Sequence, residues 1–189
     1  MEEITIGFSN DPDDIRAILD LQFDNLRINL SPEEISSQGF VFVRHTYESL
    51  KAICDTEPAV VAKHKGSLAG YALCMSKVHS QNVPELKVLF EMLDNTYYED
   101  EPLSKSTYIA CGQICIAKPY RGQNLMKKLY HKMAELNKKY RYCLTEVSSQ
   151  NTRSLQAHYK VGFQNINQHP GENGEVWNIV LWDWNNNKS

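Results

Sequence analysis

The run Ile114-Cys115-Ile116-Ala117-Lys118-Pro119-Tyr120-Arg121-Gly122-Gln123-Asn124-Leu125-Met126 is apolar, breaks at a proline and reopens through Arg-Gly into a helical pattern. A strand that feeds a helix start leaves several backbone N–H groups unpaired and converging, with the positive end of the helix dipole behind them. Such a cradle binds phosphate. Lys127 and Lys128 fall in or just after the first turn, where the macrodipole disfavours cations unless an anion sits there. No Asp or Glu occurs between Pro102 and Ala134, in a chain of net charge -3. An ordinary solvent-facing Lys-rich helix is the competing reading; the local absence of acids favours a bound polyanion. Neither Gly-Lys-Ser/Thr nor G-x-G-x-x-G is present, so the ligand is not one of the usual nucleotides.

Around this stretch the elements follow from pattern. Ile4 and Ile6 begin a first strand, and Asp11 to Leu30 carries apolar residues at helical spacing with acids in its first turn. Ser31-Pro32 reads as an N-cap with proline at the first helical position. Phe40 to Arg44 is extended, Tyr47 to Asp55 helical, and Ala59 to His64 with Leu68 to Val78 form a strand pair about Lys65-Gly66-Ser67. Pro84 to Tyr98 fits an amphipathic helix. In the strand Tyr108 to Ala117, Gly112 marks a bulge or a close backbone approach. The helix after Arg121 buries Leu125, Leu129, Met133 and Leu136 and closes on Lys138, Lys139 and Arg141. A strand from Tyr142 to Val147 precedes a helix from Asn151 to Val161, stopped by Gly162. Phe163 to Gln168 and Val176 to Trp184 are the last two strands, with residues 185–189 frayed.

At 189 residues the chain is read as one domain, residues 1–189, and its 42% apolar and 23% charged content is that of a soluble globular protein. The start Met1-Glu2-Glu3 is not a secretory signal and no apolar run reaches membrane length, so the expected location is cytoplasmic, without a membrane partner. The net acidity argues against nucleic acid. Cys54, Cys74, Cys111, Cys115 and Cys143 lie in apolar sequence and read as buried, reduced thiols; their spacing predicts no structural metal. Glu85, Glu91, Asp94, Glu99, Asp100 and Glu101 form an acidic segment that is either a cation site or a solvated face.

With strand, Arg-Gly, helix, strand, Asn, helix and Gly-Phe in this order, the second half resembles the GNAT superfamily of acetyl-CoA-dependent N-acetyltransferases, closely over Tyr108 to Phe163 and loosely over Ile4 to Val78. Arg121 to Met126 looks like the family's Q/R-x-x-G-x-G/A pyrophosphate loop, with Asn124 and Met126 in place of its small residues. Asn124 can keep the loop because Asn tolerates positive φ better than other non-glycine residues. Met126 either crowds the diphosphate or points into the core. Asn151 through Gly162-Phe163 looks like the family's N-x-x-A…G-F helix, with Ser154 replacing alanine.

The resemblance implies a mixed α/β fold: a mostly antiparallel central sheet, a splayed parallel strand pair and flanking helices. Residues 107–163 would be the acetyl-CoA-binding core, with residues 1–58 and 80–106 on the acceptor side. Backbone groups of Ile114, Cys115 and Ile116 would pair with the pantetheine arm, the first amide holding the thioester oxygen. Amides of Gly122, Gln123, Asn124, Leu125, Met126 and Lys127 would hold the diphosphate, after Arg121 at the head of the loop. Asn151 would contact pantetheine or fix its helix start.

A lysine-like amine with a pKa near 10.4 is about three units from neutrality at pH 7, roughly 4 to 5 kcal/mol, whereas a thiol near 8.5 is about 1.5 units away, near 2 kcal/mol. Removing the amine proton therefore matters more than protonating the thiolate. Some family members place a carboxylate base where Glu146 stands; the alternative is a surface or ion-paired glutamate. The acid position common in the family falls on His158, with Tyr159 beside it. Cys115 as a nucleophile lacks an activating histidine nearby in sequence. The expected activity is direct acetyl transfer from acetyl-CoA to an amine of a small molecule or peptide: a polyamine-like or aminoglycoside-like cation, an amino acid derivative or a protein amine. The acidic segment favours a cationic acceptor. The rival from another class is a non-catalytic acyl-CoA-binding or regulatory module.

Overall fold

The local signals read above recur in the computed structural model, which describes residues 4–81, 84–171 and 174–185. β1 (Thr5–Ser9) turns at Asp11, whose side chain accepts the N–H of Asp13 and so starts α1 (Pro12–Asn25). α2 (Pro32–Ser37) begins with a full capping box, Ser31 and Glu34 each bonding the other's backbone. α3 (Tyr47–Thr56) has the same device in Thr46 and Ser49. β2 (Ala59–His64) and β3 (Ser67–Met75) follow as a hairpin.

α4 (Pro84–Asp94) is shorter than its apolar periodicity suggests: Asn95 and Thr96 turn their side chains back onto the carbonyls of Glu91 and Met92 and end it. Tyr98 therefore belongs not to the helix but to a two-residue hairpin, β4 (Tyr97–Tyr98) with β5 (Glu101–Pro102). β6 (Tyr108–Ile116), α5 (Leu125–Leu136), β7 (Tyr142–Ser148), α6 (Thr152–Val161), β8 (Gln164–Pro170) and β9 (Val176–Asp183) complete the chain. α5 stops at Asn137, whose side chain bonds the Met133 carbonyl, so Lys138, Lys139 and Arg141 lie past its end rather than in its last turn. Of the expected frayed tail, residues 186–189 lie outside the described residues.

The main sheet runs β1-β2-β3-β6-β7-β9-β8 and is antiparallel except between β6 and β7. This is the mostly antiparallel, mixed α/β architecture anticipated from sequence. One face packs on α1, α3 and α4 through Ile15, Ile18, Leu50, Ile53, Phe90 and Leu93; the other packs on α5 and α6 through Leu125, Leu129, Met133 and Val161. All five cysteines are buried free thiols.

The parallel pair is the feature that makes room. β6 and β7 are in register only over Tyr108↔Tyr142, Ile109↔Cys143 and Ala110↔Leu144. Beyond Ala110 the strands part. Gly112 is skipped in the register with β3, where Leu73 faces Gln113 and Cys74 faces Cys111, so the expected bulge is there. A Cβ on Gly112 would lie 2.3 Å from the Met75 Cε, which is the close approach glycine permits. The extra residue reverses the alternation: Ile109 and Cys111 belong to the α5 side, and past the bulge it is Ile114 and Ile116 that do.

Candidate functional site

A cavity of about 380 Å³ opens where the parallel strands part. Its walls are the end of β6 (Ile114, Cys115, Ile116), the turn into α5 (Tyr120, Arg121, Gly122, Asn124 to Lys127), one face of α6 (Arg153, Ser154, Gln156, Ala157, Lys160, Val161) and a strap from the α2–α3 connection (Gly39, Phe40, Val41). The strap is tied at Val41, which bridges to Leu26.

The register decides which backbone groups are available. Ala117 donates its N–H to Ala69, and counting back in twos puts the N–H and C=O of Cys115 on Tyr71 of β3. Those of Ile114 and Ile116 point the other way, into the slot. Sequence reasoning had all three residues presenting backbone to the slot; the alternation of an antiparallel ladder removes Cys115 from that set. The Cys115 side chain still lines the cavity, where burial pushes its thiol up to about 12 against the opposing effect of Arg121.

The turn into α5 is a cradle. Gly122 at φ 77° and Asn124 at φ 58° both take the left-handed region, as the sequence required of a loop with Asn in a glycine position. Lys128 N–H bonds the Asn124 carbonyl, while the amides from Gly122 to Lys127 have no acceptor among the described residues. No acid stands in the first turn, and Asn124 adds no side-chain cap. Lys127 and Lys128 make no ion pair with a described residue, and Lys127 lines the cavity. Met126 packs against the α5 side of the core and also lines the cavity.

Arg121 acts as a strut. Its guanidinium donates to the Ile116 carbonyl at 3.0 Å, to Gln38 Oε1 at 3.0 Å and to Asn25 Oδ1 at 2.6 Å, tying the turn to the ends of α1 and α2. Gln123 donates its amide to the Pro119 carbonyl and stays on the outside of the turn. Asn151 is buried at the start of α6; its Nδ2 donates to the Phe40 carbonyl at 2.9 Å, and its Oδ1 has no donor among the described residues. It does not cap its helix. A Cβ on Gly39 would sit 3.6 Å from that orphan oxygen, so the strap and the asparagine close on each other at the cavity wall.

The acetyltransferase (GNAT) family profile matches residues 27–163. The chain belongs to that family. No curated protein matches it in sequence. Among solved structures it is similar to an acetyltransferase of the GNAT family from Streptococcus agalactiae (17% identity, 95% of each chain, TM-score 0.64) and to yncA from Salmonella typhimurium with its cofactor acetyl-CoA (15% identity, 96% of this chain and 94% of that one, TM-score 0.63). It is also similar to the ribosomal-protein-S18-alanine N-acetyltransferase of Escherichia coli (15% identity, 96% and 94%, TM-score 0.56). At these identities the likeness shows the fold.

Within this GNAT domain the residues expected to move protons are not where the cavity is. His158 is 1% exposed and absent from the cavity wall. Its Nδ1 donates to the Ser154 carbonyl at 2.8 Å and its Nε2 accepts from Tyr130 at 2.8 Å, so the ring is a neutral tether between α6 and α5. Burial lowers its pKa to about 4, although the Ser154 carbonyl pulls the other way. An acid role is closed to it. Tyr159, half-exposed beside it, does not line the cavity either. Glu146 follows the last β6–β7 pair on the face shared with Leu144, the α1 side. Its Oε1 lies 2.5 Å from His169 Nε2 on β8, so its carboxylate is drawn across β9, to the side of β7 away from the slot.

The acidic segment has a structural occupation. Glu91 pairs with Lys87, Asp94 with Lys77, Glu99 with Arg141 and Glu101 with Lys105. Asp94 also accepts from Tyr108 at the first residue of β6. That is the end where β6 and β7 are still joined, away from the point where they part. The residues sequence reasoning missed are the strap, His169, and Arg153 and Lys160. The last two share a helix face with Ser154, Ala157 and Val161, a spacing visible in the sequence.

Proposed function

We propose that this chain transfers the acetyl group of acetyl-CoA directly to an amine. The observation that carries the reading is the row of amides from Gly122 to Lys127 without an acceptor among the described residues, at a helix start without acids, beside a strand edge where the Ile114 groups and the Ile116 N–H also point into the slot while the Ile116 carbonyl takes Arg121. This arrangement fits a diphosphate at one end and an amide-bearing arm along the other. Asn151, whose Oδ1 has no donor among the described residues, lies behind the Gly39 strap and supports the cavity wall without lining it.

Acetyl-CoA supplies an activated acetyl thioester. In this reading the amides of the α5 turn and Lys127 hold its diphosphate, and Ile114 and Ile116 pair with the pantetheine as an added strand would. The Ile114 N–H donates to the thioester oxygen as charge develops on it. Cys115 keeps its proton with its pKa pushed up to about 12 by burial, which favours direct transfer over a covalent enzyme intermediate. The costs of about 4 to 5 kcal/mol for the amine and about 2 kcal/mol for the thiol put the demand on a base. We assign that role to Glu146, acting through water because its carboxylate is held to the far side of β7. No acid is assigned, since the thiolate takes its proton from solvent at small cost.

The test is thiol release from acetyl-CoA against spermidine, kanamycin, glycinamide and a free-amino hexapeptide, with mass analysis of each. One acetylated amine per thiol released supports the reading. Tight acetyl-CoA binding with every amine left unmodified would make the chain a non-catalytic acyl-CoA-binding module.

A further inference from the structure

Glu146 and His169 are 23 residues apart and stand on strands that do not touch, yet Oε1 and Nε2 are 2.5 Å apart. A carboxylate only accepts, so Nε2 carries the proton and donates. With strands spaced about 4.8 Å, β7 and β8 lie roughly 10 Å from each other, and both side chains lean over β9 to meet. The registers agree: Glu146 is paired with Ile179 and His169 with Trp177, next but one along the same strand and on the same face. The ring's other nitrogen faces the Pro170 carbonyl at 3.2 Å. The neighbouring charges are engaged elsewhere, Glu175 accepting from the Ser148 hydroxyl and pairing with Arg27 at 3.4 Å. Among the described residues, His169 is the one donor to Glu146.

We propose that His169 is a positioning residue for acetyl transfer: its Nε2–H holds the Glu146 carboxylate in one place over β9, on the side of β7 away from the slot, so that a water must bridge it to the acceptor. The proposal rests on Glu146 being the base. In the step it serves, the amine nitrogen bonds to the acetyl carbon and the C–S bond breaks, its electron pair leaving on sulfur. The amine proton passes through water to Glu146, which later returns it to solvent; the thiolate takes a proton from solvent. His169 keeps its own proton throughout.

The test compares His169→Phe, His169→Gln, Glu146→Gln and the double variant Glu146→Gln/His169→Phe, with whichever of spermidine, kanamycin, glycinamide or the hexapeptide reacts fastest. His169→Phe should lower kcat by about tenfold or more with little change in the KM for acetyl-CoA. His169→Gln, whose amide can still donate across β9, should recover most of that loss, and the double variant should be no slower than Glu146→Gln alone. If His169→Phe does not fold, His169→Asn, too short to cross β9, takes its place. Full kcat in His169→Phe or His169→Asn alongside a slow Glu146→Gln would overturn the positioning role and leave the base assignment standing. A fully active Glu146→Gln would overturn both.

Discussion

His158 sits where the family resemblance puts an acid, and its burial makes a quantitative claim about pH. Its folded pKa of about 4 lies below the 6.5 of a free histidine, with burial as the main cause. Between those values the unfolded chain holds the extra proton and the folded chain does not, so stability is present above pH 6.5 and is lost as pH falls toward 4. For this pair of values, going from pH 7 to pH 5 costs about 2 kcal/mol. Replacing His158 by Leu removes the titration and also leaves the Tyr130 hydroxyl, fully buried, without its partner. That second effect costs roughly 1 to 3 kcal/mol at neutral pH. Urea unfolding at both pH values reads the difference. The wild-type advantage over His158→Leu should shrink by about 2 kcal/mol between pH 7 and pH 5. If the two proteins keep the same separation at both, His158 is not a buried neutral tether, and an acid role for it near the slot would have to be reconsidered.

Other consequences can be measured alongside. Asn124→Gly should fold and bind acetyl-CoA as well as the wild type, whereas Asn124→Val, a β-branched residue forced to φ 58°, should cost about 1 to 2 kcal/mol in thermal unfolding and weaken binding. Changing Lys127 and Lys128 together to Glu should weaken acetyl-CoA binding and flatten its salt dependence in calorimetric titrations, while the melting temperature without ligand stays nearly the same. Glu146→Gln should slow turnover without loss of acetyl-CoA affinity, its rate climbing more steeply toward alkaline pH as the amine sheds its own proton.

What the chain disclosed in advance is what local physical chemistry dictates. Asn124 at a glycine position, Gly112 inside a strand, Ser31 before Pro32 and Gly162 before Phe163 each name a backbone conformation, and each is found. The cradle was legible for the same reason, since a helix start declares its own open amides. Contacts made only by the tertiary fold were not. Nothing near Arg121 in sequence announces that it braces Asn25, 96 residues away, and nothing near Glu146 announces His169 across an intervening strand. Of the acids between Glu91 and Glu101, Glu91 and Glu101 have partners four residues away, but Asp94 and Glu99 pair with Lys77 and Arg141 from other elements, which the local sequence does not announce. His158 was misassigned because family position fixes a place along the helix, whereas burial against Tyr130 depends on how α5 and α6 pack.

The central claim, that the cleft between β6 and α5 is an acetyl-CoA site built from the amides of Gly122 to Lys127, is tested most directly by thermal unfolding with and without acetyl-CoA, in the wild type and in Gly122→Pro. Ligand at a hundredfold excess over its dissociation constant adds about 2.7 kcal/mol, which for a domain of this size raises the melting temperature by about 5 to 10 °C. Gly122→Pro removes one cradle amide and cannot adopt φ 77°, so it should lose the rise. An unchanged wild-type melting temperature at millimolar acetyl-CoA, or an equal rise in both proteins, would contradict the account.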